Sequence, residues 1–216
     1  MSETVLDIED KVFEIIQEYV NGKRPFNISN AVPVILSRFS KDSVNINKNG
    51  IKKILQKLIK KKKIVKGSVL TKENVLQNLN RKAIFEIIQN ALGIIFNKIV
   101  KESGLSNYVV FWHTELLKDF DYIRVAEIEG KKIYYDSQVN NSEVRRGYIK
   151  SKKKSQQILE YLTTHDIGVS KTQIAQDLNM HNRTASKYLR LLQEIALIEK
   201  EKIDNTYLYF LTNKTK

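Results

Sequence analysis

Arg183, Lys187 and Arg190 stand four and three residues apart, with Asn182, Thr184 and Ser186 among them. On a helix starting near Asn182, Ala185, Tyr188, Leu189 and Leu192 share the inner face and the polar set lies on the outer one. The outer set can read nucleic-acid bases. Arginine reaches the acceptor pair of guanine, asparagine matches adenine, and Ser or Thr serves phosphate or the thymine methyl. Thr172 and Gln173, at the start of the helix before, face the duplex backbone in the same arrangement. The bland alternative is an ordinary solvated helix face.

Other chemistries find little support. His113, His165 and His181 fall in separate segments without metal-ligand spacing or a carboxylate constellation. His113 lies on the inner face of its helix and reads as a satisfied core residue, and His181 occupies a cap position. The eight glycines form no phosphate-cradling GxGxxG or GxxxxGK pattern. There is no cysteine, which removes disulfides, thiolate metal sites and cysteine nucleophiles together. We therefore expect no enzyme, no cofactor and no metal.

The charge points to a polyanion. The chain of 216 residues has 37 basic and 24 acidic residues, a net charge of +13. Nucleic acid is the first partner such an excess suggests and an anionic membrane surface the second. Eight lysines lie between Lys48 and Lys63 without an acid among them. Lysine is a point charge suited to phosphate rather than to fixed base readout. Lys48, Lys52, Lys53 and Lys57 are thus expected to anchor a backbone electrostatically, and Lys150 with Lys152, Lys153 and Lys154 form a second basic cluster. The charge is uneven. Residues 80–148 hold 10 basic and 9 acidic residues, whereas the flanks carry +7 and +5. That central segment places Tyr108, Phe111 and Trp112 where the flanking copies place polar residues. The aromatic face suits packing against another subunit or another unit, or stacking on unpaired bases, and Trp112 is equally readable as core.

Repetition explains how these residues are positioned. INKNGIKKILQKLIKKKKIV (46–65), LSNYVVFWHTELLKDFDYIRV (105–125) and MHNRTASKYLRLLQEIALIEK (180–200) overlay. Each has a capping residue at its second position (Asn47, Ser106, His181), then apolar residues at helical spacing, then a β-favouring stretch. Two helical segments precede each copy: Ile8 to Asn21 and Asn30 to Phe39, Arg81 to Ala91 and Ile95 to Ser103, and Lys152 to Thr164 and Lys171 to Leu178. Ser170 is placed to cap the last of these. Hairpins follow, turning at Glu129-Gly130 and Asp204-Asn205, with a stunted version around Gly67. The expected fold is mainly α with small β-hairpin wings (α+β). The expected domains are a Lys-rich unit at 1–78, a unit with an aromatic third helix at 79–140, a flexible linker at 141–151, and a C-terminal unit at 152–216. The joint TKENVLQNLNRK reads as helical. Each unit is near the lower size for a lone core.

Helix, helix, turn, helix, hairpin is the pattern of a winged helix-turn-helix. The motifs RKAIFEIIQNALGI, SGLSNYVVFWHTELL and IYYD, with ILEYLTTHDIGVSKTQIAQDLNMHNRTASKYLRLLQEIALIEK, resemble archaeal-type tandem winged helix-turn-helix transcription regulators of the ArsR/MarR-like superfamily. NGIKKILQKLIKKKKIV extends the resemblance to a first unit. The resemblance implies a regulator that binds double-stranded DNA, with the third helix in the major groove and the wing near the minor groove or backbone. Homodimerisation through the middle unit is one way to use its aromatic face. The alternative is a protein-interaction scaffold without sequence-specific DNA binding, as winged helices serve in ESCRT-II-type complexes and RNA polymerase accessory subunits. An acidic N-terminal stretch and the lack of a ~20-residue apolar run point to a cytoplasmic, nucleoid-associated protein without a membrane partner.

Overall fold

The computed structural model of the protein describes residues 5–42, 44–165 and 167–212, and the remaining positions lie outside the described residues. The order begins with α1 (Val5–Asn21), α2 (Ile28–Lys41) and α3 (Lys48–Lys60), then an isolated bridge between Ile64 and Thr71. A 3-10 turn (Val75–Gln77) leads into α4 (Leu79–Gln89), β1 (Ile94–Ile95), α5 (Phe96–Ser103) and α6 (Asn107–Asp119). The strands β2 (Ile123–Ile128) and β3 (Lys131–Asp136) follow. The C-terminal part consists of α7 (Asn141–Lys150), α8 (Lys153–Thr163), β4 (Val169–Ser170), α9 (Lys171–Asp177), α10 (Asn182–Glu194), β5 (Ile198–Ile203) and β6 (Thr206–Leu211). The described residues are mainly helical, with two three-stranded sheets ordered β1-β3-β2 and β4-β6-β5. β5 and β6 pair antiparallel from Ile198 opposite Leu211 to Ile203 opposite Thr206.

The three overlaid segments start and stop alike. Asn47 accepts a hydrogen bond from the Gly50 amide, Ser106 from Val109 and His181 from Arg183, so each cap satisfies an amide the first turn leaves free. At the far end, Lys63, Tyr122 and Leu197 donate their amides to the carbonyls of Leu58, Leu117 and Leu192, five residues back. This closes the last turn in the manner of a Schellman motif and needs a left-handed residue just before. Lys62, Asp121 and Ala196 fill that place at φ +57, +54 and +51. Both hairpin turns have two left-handed residues, Glu129-Gly130 and Asp204-Asn205, as a two-residue turn of type I′ requires.

The chain divides into two compact units. One comprises Met1–Asn90, Ile95–Val125 and Asp136–Gln138, and the other Ala91–Ile94, Ala126–Tyr135 and Val139–Lys216. In the first, Val12, Ile16, Ile35, Ile51, Leu55 and Leu58 form a cluster shielded from solvent, each aliphatic side chain contributing roughly 1.5–3 kcal/mol of transfer free energy. The joint expected to be helical is broken there. The 3-10 turn ends before Asn78, whose side chain caps α4 through the Arg81 amide. Arg81 then folds back, and its Nη1 donates to the Val75 carbonyl at 2.6 Å. The Tyr122 hydroxyl donates to the Lys72 carbonyl at 2.8 Å, and its ring meets Phe85 edge-on at 5.3 Å.

In the second unit, Ile149, Ile158, Leu162, Ile174, Leu189, Leu191 and Leu192 are buried in one cluster. The expected flexible linker is a helix. α7 is capped by Asn140 and buries Val144, Tyr148 and Ile149, a spacing that sets one side of a helix against the core. Gly147 lets that helix approach closely, since a Cβ there would lie 2.4 Å from Leu92 Cβ. The polar, basic composition of 141–151 concealed these few apolar positions.

Candidate nucleic-acid interface

Ser170 caps α9 through the Gln173 amide, and His181 caps α10 through the Arg183 amide. Between them Asn179 turns the chain at φ +47, and the Met180 amide donates to the Ala175 carbonyl at 2.7 Å. Ile174 and Ala175 of α9, with Ala185, Leu189, Leu191 and Leu192 of α10, point into the core. The opposite side of α10 is thereby fixed outward. Asn182, Arg183, Lys187 and Arg190 are exposed, whereas Thr184 and Ser186 are half-buried. Thr172 and Gln173 are exposed on the first turn of α9. Arg183 makes no ion pair among the described residues.

Two cations of this face are already engaged. Lys187 Nζ lies 2.8 Å from Glu129 Oε2, and Arg190 Nη1 lies 3.2 Å from Glu194 Oε1. Glu194 also receives Arg145 at 2.5 Å. The hydrogen bond from Lys187 holds the Glu129 carboxyl below the ordinary carboxylate range, with added attraction from Lys187, Lys152 and Arg190. The same bond raises the Lys187 ammonium. In the β5–β6 hairpin, Lys200 Nζ sits 3.6 Å from the centre of the Tyr207 ring. In the second basic cluster, Lys152 lies 4.6 Å from the Tyr148 ring.

On α3, Ile51, Leu55 and Leu58 are buried and Lys48, Lys52 and Lys53 are exposed without an ion pair among the described residues. Lys52 also lines an open groove with Lys66 and the start of α2, Asn27 to Ser29. Lys57 differs. It lies 2.5 Å from the Glu9 carboxylate, which also takes Lys61 at 2.6 Å. Glu9 is almost fully buried, and the two lysines hold its carboxyl below the usual range against the opposing effect of burial. Lys57, expected among the anchors of a nucleic-acid backbone, is therefore an internal counter-ion as well as a surface charge.

On α6, Tyr108, Phe111 and Trp112 are 78%, 55% and 49% exposed. Val110, His113, Thr114 and Leu117 form the buried side. Trp112 is exposed but has packed neighbours. Arg81, almost fully buried, stacks over it at 5.4 Å and His113 meets it edge-on at 5.0 Å. His113 is buried as expected, but its Nδ1 has no hydrogen-bond partner, so it is not a satisfied core residue. Burial, with a smaller effect of Arg81, lowers its basicity below that of ordinary histidine.

Glu9, Glu129, Glu194 and Arg145 did not stand out as site residues in the sequence. Glu194 could have been found, since it follows Arg190 by four helical positions. Glu9 and Glu129 meet their lysines only through tertiary packing. Among the described residues, no group of three or more His, Asp or Glu could hold a metal ion, and no helix is long and apolar enough to cross a membrane.

No family model matches the chain. Among curated proteins it is similar to an HTH-type transcriptional regulator. That relative is the uncharacterized MJ1398 protein of Methanocaldococcus jannaschii, 24% identical over 144 residues, with 67% of this chain and 36% of the relative covered. The chain thus spans little more than a third of the length of the curated relative it matches. Among solved structures, the DIP2311 protein from Corynebacterium diphtheriae aligns over 86% of this chain and 41% of that chain at 10% identity. Its TM-score of 0.25 is too low to carry a shared fold.

Proposed function

We propose that the protein is a DNA-binding transcription regulator, cytoplasmic and nucleoid-associated, of the archaeal-type tandem winged helix-turn-helix class. Its three units are residues 1–78, 79–140 and 152–216, with α7 in the sequence between the last two. α10 reads base edges in the major groove through Asn182 and Arg183, with Thr184, Ser186, Lys187 and Arg190 along the same helix. Thr172 and Gln173 meet the backbone, and Lys48, Lys52 and Lys53 anchor phosphates from α3. The observation that carries the reading is the exposed first turn of α10. It holds Asn182 and Arg183 on a capped helix fixed outward by four buried residues, where a recognition helix reaches deepest. The relative's description as an HTH-type transcriptional regulator supports the same direction.

Selection of binding sites from a random duplex library, followed by Arg183→Ala on the selected site, tests it. Loss of roughly 1–3 kcal/mol and relaxed preference at one base pair are expected. Unchanged affinity and preference would refute the assignment of α10.

The exposed α6 aromatics favour a second role for the middle unit, as an assembly element. Two chains joined through Tyr108, Phe111 and Trp112 would present two copies of α10 symmetrically, which suits a palindromic site.

A further inference from the structure

The β2–β3 turn brings a carboxylate to the outer face of α10. Glu129 occupies the first left-handed position of that turn, at φ +54, followed by Gly130 at φ +67. Glycine, asparagine and aspartate fill such positions most readily, and a long glutamate is an uncommon choice. Its side chain is 15% exposed and ends 2.8 Å from Lys187 Nζ, with Lys152 and Arg190 adding to the surrounding positive field. Lys187 is itself half-exposed. An ion pair with so open a partner adds little to folding stability and weakens with salt. Its larger effect is on the charge of α10, because it cancels the cation in the middle of the outer face. Arg190, one turn on, is likewise held by Glu194. The carboxylate thus sits on the ammonium that an approaching phosphate would seek.

Resting on the reading of α10 as the DNA-binding helix, we propose that Glu129 is a built-in phosphate mimic that occupies Lys187 in the free protein and must be displaced before a DNA phosphate reaches it. The β2–β3 turn then acts as an autoinhibitory contact that sets how tightly α10 holds duplex DNA. Glu127, exposed on β2 two residues earlier, provides a control for general charge effects.

The test is fluorescence anisotropy of the full chain on a random-sequence duplex, from low to physiological salt. It compares wild type with Glu129→Gln, Glu127→Gln, Lys187→Ala and the Glu129→Gln, Lys187→Ala double variant. Glu129→Gln should tighten binding about five-fold at low salt, the upper range for an open ion pair. Lys187→Ala alone should weaken binding by losing its phosphate contact, and the double variant should lose the gain. If wild type binds but Glu129→Gln matches it, if Glu127→Gln gives an equal gain, or if the gain survives in the double variant, the mimic is refuted and the reading of α10 stands. Absence of duplex binding by every variant would overturn both.

Discussion

Lys52→Ala and Lys57→Ala each remove one positive charge from α3, five residues apart, yet they should behave differently. Lys52 is exposed and makes no ion pair among the described residues, so on DNA it is free to displace one condensed counterion. Its loss should flatten the log–log salt dependence by ~0.9, so that a fourfold rise in salt costs wild type about 3.5-fold more affinity than the variant. Lys57 already spends its charge on Glu9 at 2.5 Å. Its removal should leave the salt slope nearly unchanged and lower stability instead. A charge-assisted hydrogen bond contributes about 1.5–3 kcal/mol. Lys61 still holds the carboxylate at 2.6 Å and the Lys57 side chain is 49% exposed, so the loss should be nearer about 1 kcal/mol. A shift of that size lowers the melting temperature by a few degrees. Anisotropy at four salt concentrations reads the first quantity and a thermal melt without DNA the second. If Lys57→Ala flattens the slope as much as Lys52→Ala and leaves the melt untouched, the Glu9 bridge does not hold in solution and the argument fails.

His113 should make the fold sensitive to mild acid. Its folded pKa lies below the ordinary value of 6.5, so its neutral form contributes fully above 6.5 and stability falls as pH drops through the lowered value. Urea midpoints of wild type and His113→Gln should diverge most at neutral pH and converge in acid, and parallel curves would refute this. For α6, sedimentation of wild type against a Tyr108→Ser, Phe111→Ser double variant should show a dimer lost on substitution. Each ring can bury on the order of 150 Å². A monomer in both cases, with unchanged thermal stability, would show that the aromatic face neither joins chains nor braces the unit.

The starts of the repeated helices were legible in the sequence because capping is local chemistry. Asn47, Ser106, Ser170 and His181 each bond an amide two or three residues ahead. The hairpin turns were legible for the same reason. The residues that terminate those helices were not. Glycine is the usual marker of a left-handed terminator, but Lys62, Asp121 and Ala196 do that work, and only the hydrogen bonds to Leu58, Leu117 and Leu192 reveal it. α7 was misread because four apolar or small residues among many polar ones decide its docking, and no composition average registers them. The helical period places His113 in the core, but no local pattern shows that its buried Nδ1 lacks a hydrogen-bond partner.

Charge was the strongest sequence signal and also the one most changed by folding. A net charge counts every cation, whereas a polyanion responds to those whose field reaches solvent unopposed. Lys57 and Lys61 answer a buried Glu9, Lys187 answers Glu129, and Arg190 answers Glu194. Arg81 is enclosed against Trp112 and the Val75 carbonyl. What remains on the two candidate helices, among the described residues, is a smaller set: Lys48, Lys52, Lys53 and Lys60 on α3, and Arg183 beside Asn182 on α10. The near-neutral middle segment takes on a different meaning as well. Its balance of charge suggests indifference to a polyanion, but Glu129 belongs to that segment and opposes a cation of the last one. On the proposed reading, the placement of this one carboxylate ties the charge of α10 to a turn outside its own segment.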